Sequence, residues 1–549
     1  MGLGPYGLGG GVMQSVWDTM ARRRLLLAAS VGLPLVELAI LAAVRVPSGV
    51  SLAGQASALG PFGAFHDLRW LFVFHDSTIS FVWGLVAVLA GRSLLVAGFV
   101  WAAWPAEARR PAARTLVVHA LLATTVAVVL LSPWVTLLFG AAIVPLSWVF
   151  FAAVPAALLT IVLIHHGGVD TAWWRRLPPV RSVGWIGLSF LALSLGALAV
   201  AGRPLPEAII PTVGVGLFNA WAWHHGVRVI VLRLPARQRR SVPATVLAVL
   251  VLFGGIVGGA SVGFAANVDE GEPAPEPVPD SGLRAVLLVP GFASECCGEG
   301  TELRAEYPDL MVEQFSYRGL DADGHPIPHT GSATDADLGH LASLMRAQVS
   351  GLASRAGGTV AIVAESEGTL VVLAFLERHP ESPVDRVMLL SPILDPGRVT
   401  FPDTGSEGRG VVAGYELRAL AAFIDQLAPL PLSAEGPLLD SLRREADSLS
   451  ASAAVSRPGV EQVVVIPLAD AVISPVGAES APDAIVVPAL HGGLRGRSDV
   501  RAMIATWVNG GDIAGSEAWV VLGRVISRSA SAWQVPALGR FAEGGEDLG

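Results

Sequence analysis

The stretch TVAIVAESEGTLVVLAFLE, residues 359–377, decides how the second half of the chain folds. An apolar run of strand type, 359–363, is followed by Ala364-Glu365-Ser366-Glu367-Gly368 and then by an apolar run of helical type. A serine at the apex of such a strand–turn–helix has a strained backbone, so the residues two before and two after it must be small. Ala364 and Gly368 meet this requirement. The pattern therefore predicts a sharp turn that exposes the Ser366 hydroxyl.

Two strand patterns further along the chain end next to residues that can activate a serine. The run 463–470, VVVIPLAD, ends on Asp470, and the run 484–488, AIVVP, leads through two residues to His491. A serine hydroxyl becomes nucleophilic when an imidazole takes its proton and a carboxylate orients that imidazole. Open α/β sheets place their chemistry just past the carboxyl ends of strands. Ser366, Asp470 and His491 are therefore the candidate catalytic residues.

Residues 282–509 resemble the lipase and esterase branch of the α/β-hydrolase superfamily. The resemblance rests on the order serine, acid, histidine along the chain and on the strand that precedes each of the three residues. The resemblance implies a mainly parallel sheet and an oxyanion hole formed by the backbone amides of Phe292, in a Pro-Gly-Phe turn, and of Glu367. The chain departs from the family at Ala364, where glycine is usual. Glu365 and Glu367 add carboxylates beside the nucleophile, which disfavour an oxyanion unless they point away or are paired.

Alternatives stay open for the acid and the histidine. Asp395 follows an earlier strand pattern, 387–394, from which some hydrolases draw their acid, so it is the alternative acid. His325 and His329 precede the serine, which breaks the usual order, and we expect them in a polar loop. Between the strand that ends at Asp395 and the one that begins near 463, the resemblance implies a helical cap at about 400–460.

The first half of the chain is too apolar for a soluble protein. The chain is 52% hydrophobic and 15% charged, and the apolar excess lies before residue 267. Seven apolar stretches have about the length that crosses a bilayer as a helix: 25–46, 81–104, 115–131, 144–164, 183–201, 208–223 and 244–265. We therefore predict an all-α polytopic membrane domain, 1–266, and a proline-rich acidic linker, 267–281. The α/β domain, 282–509, and a C-terminal extension, 510–549, follow.

Arginine positions predict the orientation, since the chain contains no lysine. Arginines cluster before the first stretch and in the connections between the second and third, the fourth and fifth, and the sixth and seventh. If seven helices span the bilayer, all four clusters lie on one side, which the positive-inside rule makes the cytoplasm. We expect a cytoplasmic N-terminus and a catalytic domain on the extracytoplasmic face of the cell membrane. The composition, rich in alanine, glycine and arginine, suggests a bacterial source.

Beyond lipid, the sequence indicates few partners. The net charge of -9 argues against nucleic acid, no C-x-x-C pattern indicates a metal site, and no cofactor is expected.

Cys296 and Cys297 are adjacent, and because a bond between neighbours closes a strained ring, we expect no disulfide. The histidine pairs 165–166 and 224–225 could bind a metal or haem, but beside tryptophans they fit a headgroup belt. The repeated Phe-His-Asp at 65–67 and 74–76, which we expect in the external loop between the first two stretches, could contact the catalytic domain or bind a cation.

Together these features predict a membrane-embedded serine hydrolase that cleaves small hydrophobic or lipid-like carboxylic esters. One alternative is a non-catalytic membrane sensor, transporter or scaffold whose hydrolase-like domain binds without turnover. Another is an acyltransferase or thioesterase that uses the same three residues. No residue in the sequence identifies the substrate, the oligomeric state or the purpose of so many spans.

Overall fold

The computed structural model divides into a helical N-terminal part and a C-terminal part built on a sheet. It describes residues 9–44, 46–140, 180–232, 284–297, 306–393, 410–427, 436–454, 457–468, 483–489, 491–492 and 494–535, and the single residues 161, 169 and 303. The connection between the two parts, including the predicted linker 267–281, lies outside these residues.

Six long helices form the described N-terminal part. They are α1 (Gly9–Ala43), α2 (Gly60–Phe74), α3 (Thr78–Ala103), α4 (Ala113–Gly140), α5 (Val180–Val200) and α6 (Leu205–Leu232), with a 3-10 helix, Pro47–Gln55, after α1. Four contain candidate membrane spans, namely Met20–Ala43, Thr78–Ala103, Ala113–Thr136 and Arg181–Val200, with mean hydropathy of 2.0 to 2.2. At most 39% of each apolar window is buried inside the protein. Most of these side chains therefore face outward, which suits a lipid environment and not water.

The four candidate spans match the first, second, third and fifth predicted stretches. The sixth stretch forms part of α6, which is not among the four. The fourth and seventh lie outside the described residues, apart from Ile161. A helical region with membrane-type helices is thus confirmed, and the total of seven stays a prediction.

The segment between α1 and α3 differs from the external loop that the sequence predicted. It folds back into the bundle as the 3-10 helix and α2, and α2 packs against α3 and α4. Phe62, Leu68 and Phe72 of α2 are buried. A helix of 15 residues is too short to cross a bilayer, but its apolar side chains still stabilise the fold when other helices cover them.

A six-stranded sheet forms the centre of the C-terminal part. The strands are β1 (Arg284–Val289), β2 (Leu310–Gln314), β3 (Val360–Glu365), β4 (Val384–Leu390), β5 (Glu461–Pro467) and β6 (Ile485–Val487). All neighbours are parallel, in the order β2-β1-β3-β4-β5-β6. The predicted parallel sheet is confirmed. The direction of winding reverses between β1 and β3, which leaves a crevice beyond their carboxyl ends where such sheets bind ligands.

Helices cover both faces of this sheet. The helices of the C-terminal part are α7 (Leu338–Ala356), α8 (Glu367–Arg378), α9 (Val411–Leu427), α10 (Pro437–Ala454), α11 (Ser498–Val508) and α12 (Glu517–Ala530), of which α7, α8 and α11 pack on the two faces. Along β1, Leu287 packs with α7 and α8 on one face, and its neighbour Leu288 packs with α11 on the other. Because both faces are buried, the strands read as continuous apolar runs.

The interval predicted as a cap, about 400–460, contains α9 and α10. Helix α10 packs against α7 and α8, whereas α9 packs against α4 of the N-terminal part. There the Ser132 hydroxyl donates to the Glu416 carboxylate at 3.0 Å and 3.1 Å, and Thr136 donates to the same group. Helix α9 therefore joins the two parts of the chain, and the predicted cap over a pocket stays a prediction.

Candidate active site

Ser366 lies at the apex of the tight turn between β3 and α8. Its backbone has φ +55° and ψ -122°, a conformation that only strongly constrained non-glycine residues adopt. Its amide donates to the Leu390 carbonyl at 3.0 Å, which fixes the turn to β4. A Cβ at Gly368 would lie 2.5 Å from the Val289 carbonyl oxygen, so only glycine fits there. Ala364, two residues before the serine, is completely buried and fits without glycine.

His491 contacts the serine directly. It follows β6, is buried, and its Nε2 lies 2.9 Å from Ser366 Oγ. That distance allows the hydroxyl to donate its proton to a neutral imidazole, the arrangement that general-base activation requires. The residues come from opposite sides of β4 and β5 in the sheet, 125 positions apart in the chain.

Both candidate acids, Asp470 and Asp395, lie outside the described residues. The ends of the two strands that precede these acids are described, and they show where the chain leaves the sheet toward each acid. Leu468 at the end of β5 donates its amide to the Val487 carbonyl at 2.7 Å, so the chain leaves β5 beside the segment that leads to His491. Leu390 at the end of β4 pairs with Glu365. The choice between the two carboxylates stays a prediction.

The two amides predicted to stabilise an oxyanion follow the neighbouring strands β1 and β3 at the carboxyl edge of the sheet. Phe292 is in the turn after β1, and Glu367 is the first residue of α8. Val289 pairs with Ala364 in the sheet, and a Cβ placed on Gly291 would lie 2.9 Å from Ser366 Cβ. The turn thus approaches the serine as closely as a glycine permits. The positive end of the α8 dipole also lies at the serine, which favours a developing negative charge.

Glu365 is paired, which the sequence did not reveal. Its buried carboxylate accepts from the Leu494 amide at 2.7 Å and from Arg495 Nε at 2.8 Å. The charge that we expected to disfavour an oxyanion is therefore compensated. The same two bonds tie the strand that presents Ser366 to the loop that carries His491. The partners are about 130 positions away in the chain, so no local pattern could identify them.

Glu367 is buried without a pairing cation. Neither carboxyl oxygen has a hydrogen-bond partner among the described residues. Burial, with a smaller contribution from the charge of Asp335, raises the pKa of Glu367 well above its ordinary value. Burial thus favours the neutral form of the Glu367 carboxyl, and in that form the side chain does not oppose an oxyanion at its own amide. Burial likewise raises the pKa of Tyr317, whose hydroxyl donates to the Pro290 carbonyl at 2.6 Å.

Cys296 and Cys297 form a disulfide, so our expectation that they stay apart was wrong. The sulfurs meet because the turn places Cys297 in the left-handed region, with φ +78°. The Cys296 amide donates to the His329 carbonyl at 3.1 Å, and the Ala293 amide donates to Thr334 Oγ1 at 3.0 Å. These contacts fasten the Phe292 turn to the polar loop that contains His329.

Metal ligation receives no support from the described part of the chain, where no group of three histidine, cysteine, aspartate or glutamate side chains is arranged to hold a metal ion. His225 stacks on Trp185 with ring centroids 5.3 Å apart, and the pair 165–166 lies outside the described residues. His66 contacts Glu37 and Asp67, and His75 contacts the backbone of Val412 in the C-terminal part. One copy of the repeated motif thus contacts the C-terminal part, as the sequence suggested.

Comparison of the chain with protein-family models, with curated proteins and with solved structures finds no match. Three features of the site itself bear on its function: a serine at a strained strand–helix turn, a histidine at hydrogen-bond distance from it, and the position of both residues at the carboxyl edge of a parallel sheet.

Proposed function

We propose that this protein is a membrane-embedded serine hydrolase of the α/β-hydrolase type that cleaves hydrophobic carboxylic esters. The observation that carries the proposal is the 2.9 Å contact between Ser366 Oγ and His491 Nε2, at a serine with φ +55°. A turn serine without a catalytic role needs neither a strained backbone nor a buried imidazole beside its hydroxyl.

In the proposed reaction Ser366 Oγ attacks the ester carbonyl carbon while His491 Nε2 accepts the hydroxyl proton. The carbonyl oxygen becomes negatively charged and is stabilised by the amides of Phe292 and Glu367. When the tetrahedral intermediate collapses, the bond to the alcohol breaks, and the imidazolium gives its proton to the leaving oxygen. Water then attacks the acyl-enzyme by the same route, which releases the acid and restores the serine. Asp470, or in its place Asp395, orients the imidazole. An alcohol that replaces water makes the same site an acyltransferase.

The contacts between the parts support a catalytic domain at one face of the membrane. Two residues of the helical part contact the C-terminal part: His75, just before α3, and Thr136, near the end of α4. At the opposite helix ends, Arg22 donates to the Trp104 carbonyl and Arg228 pairs with Glu107 at 2.9 Å. Arginines thus gather away from the catalytic domain. We infer seven spans, a cytoplasmic N-terminus and an extracytoplasmic catalytic domain in the cell membrane.

A fluorophosphonate probe, which reacts with activated serines, tests the proposal on the full-length protein in detergent micelles. We expect covalent labelling of the wild type and none of Ser366→Ala. Ser343→Ala, which removes an exposed hydroxyl on α7, is the matched control and should label normally. Equal labelling of wild type and Ser366→Ala would exclude Ser366 as the nucleophile. Hydrolysis of short p-nitrophenyl esters then separates an enzyme from a non-catalytic binding domain.

A further inference from the structure

Helix α12 exposes more large apolar side chains than a helix in water can sustain. Four are at least 36% exposed: Trp519, Val521, Leu522 and Val525. At 3.6 residues per turn they cover about 160° of the helix circumference. The charged residues Glu517, Arg524 and Arg528 follow on one side of this arc, and the buried Ala530 lies on the other. Such segregation is typical of a helix that lies in a membrane interface.

The protein-facing side of α12 packs on the edge of the sheet and on the membrane-type helix α5. A Cβ at Gly523 would lie 3.6 Å from Val486 Cγ1 and 3.7 Å from Leu468 Cδ1, so the α12 backbone lies directly against β5 and β6. Strand β6 is the edge strand, and the chain continues from it to His491. Helix α12 therefore connects the histidine side of the candidate active site to the helical bundle.

The segment after α12 is anchored inside the bundle. The Trp533 ring stacks on Phe190 with centroids 4.6 Å apart, and its Nε1 donates to Ser194 Oγ at 2.8 Å. The Ala532 carbonyl accepts from Gln55 Nε2 at 2.5 Å and from Arg69 Nη1 at 2.6 Å. Because Ala532 and Arg69 are completely buried, the end of α12 has a fixed depth relative to the bundle.

Continuity with α5 identifies what covers the apolar arc. On α5, Leu188, Leu191 and Leu195 are 40% to 59% exposed within a candidate membrane span. Their spacing of three and four places them on one face, which in a membrane contacts acyl chains. Helix α12 packs against this span. The lipid that covers α5 therefore extends to α12.

We propose that α12 is an interfacial membrane helix that embeds its apolar arc in the leaflet beside the catalytic domain, with Arg524 at the depth of the lipid phosphates, and that it holds the β6 edge against that leaflet. Given the proposed hydrolase function, its substrate is then a lipid ester taken from the same leaflet.

Spin-label depth measurements test the position of α12 without any reaction. Full-length Leu522→Cys and Arg524→Cys, about 160° apart on the helix, are labelled and reconstituted in phosphatidylcholine–phosphatidylglycerol vesicles. We expect the label at 522 to be accessible to oxygen and shielded from a water-soluble nickel chelate, and the label at 524 to show the reverse. Nickel access at 522 overturns the proposal. Shielding at 522 from both reagents also overturns it, because a protein partner or second copy then covers the arc.

A second arm tests the substrate class. Leu522→Asp should lower hydrolysis of a fluorogenic lipid ester in vesicles at least 10-fold and leave a soluble short-chain ester unaffected. Ser343→Asp, which adds the same charge on exposed α7, should change neither rate. An equal loss on both substrates, or none on the vesicles, overturns the lipid assignment. If the wild type hydrolyses neither ester, the proposed function fails, and the depth measurement still decides the position of α12.

Discussion

At the scale of single residues, the two carboxylates beside Ser366 have opposite environments. Glu365 is paired with Arg495 and the Leu494 amide, whereas the buried Glu367 carboxyl has no hydrogen-bond partner in the part of the chain that the structure describes. From sequence they look equivalent, since each is one position from the serine. Glu365 ends a strand and Glu367 begins a helix, so their side chains point in different directions. The contacts that each makes therefore depend on segments that only the folded chain brings close. From the sequence we predicted that both charges must be paired or point away from the oxyanion. The sequence could not show that Glu365 is paired and that Glu367 is buried.

Under the proposed function, Glu365 acts as a positioning residue, and its loss should slow catalysis more than binding. We predict that Glu365→Gln, which weakens the tie to Arg495, lowers kcat for a soluble ester about 10- to 100-fold with little change in KM, because the His491 loop loses its alignment. Rates are normalised to the number of active sites by fluorophosphonate titration. Glu365→Asp should recover part of the loss. Asp499→Asn, which breaks an exposed pair with Arg497 in the same loop, is the control. A normal kcat in Glu365→Gln would contradict the role.

Glu367 should make stability depend on pH. Its folded pKa is raised well above the ordinary value of 4.5. As pH rises above that value, the unfolded carboxyl loses its proton while the folded one keeps it, so the folded state binds more protons and stability falls. Gln cannot ionise and resembles the protonated acid. We therefore predict that the melting temperature of Glu367→Gln exceeds that of the wild type by more at pH 8 than at pH 5.

The comparison requires melting curves of both proteins at the two pH values, at matched ionic strength. Glu381→Gln, at an exposed position after α8, is the control for the loss of one carboxylate and should show no such trend. For a domain of this size about 1 kcal/mol corresponds to roughly 2–4 °C. A difference between Glu367→Gln and wild type that is the same at both pH values would show that the buried carboxyl does not stay protonated.

At the scale of elements, hydropathy predicted the long helices and apolar runs predicted the strands, but both patterns missed α2. Its sequence, GPFGAFHDLRWLFVF, carries charged residues and is too short for a span, so it was expected outside the bundle. The structure places its charges in contacts with other helices. Arg92 of α3 donates to Asp67 through Nε at 2.7 Å and Nη2 at 2.5 Å, and His66 lies 2.8 Å from Glu37 of α1. A buried charge is tolerated once it is paired, and pairing across helices is not visible in local sequence.

The repeated Phe-His-Asp motif supplies a matched pair of variants for this cluster. Asp67 faces the buried Arg92, whereas Asp76, at the same place in the second copy, is exposed. We predict that Asp67→Asn destabilises the protein by about 3–5 kcal/mol, because it leaves Arg92 buried without a counter-charge. Asp76→Asn should change stability little. Thermal unfolding in detergent micelles, followed by circular dichroism, measures both. Equal shifts for the two variants would show that the Asp67–Arg92 pair does not stabilise the bundle.

At the scale of the whole molecule, the order of the parts could be read from the sequence and their contacts could not. Composition separates an apolar helical half from an α/β half. The contacts between the two parts, however, are made by single side chains. Examples are the hydrogen bond from Ser132 to Glu416 and the stacking of Trp533 on Phe190. These partners are far apart in the chain and belong to no repeating pattern. The structure adds that the contacts of His75 and Glu416 lie toward the helix ends opposite the arginines, which places the C-terminal part beside one face of the bundle.

That placement leads to a prediction about topology, because an odd number of spans puts the N-terminus and the C-terminal part on opposite sides of the membrane. The exposed turn at Ala106, between α3 and α4, lies with the arginines, and exposed Ser343 lies in the C-terminal part. We predict that Ser343→Cys reacts with a membrane-impermeant maleimide on intact bacterial cells, and that Ala106→Cys reacts only after permeabilisation. The native cysteines are disulfide-bonded and should give no background. The reverse pattern would place the C-terminal part in the cytoplasm. Labelling of both sites on intact cells would contradict the separation of the arginine-rich helix ends from the C-terminal part.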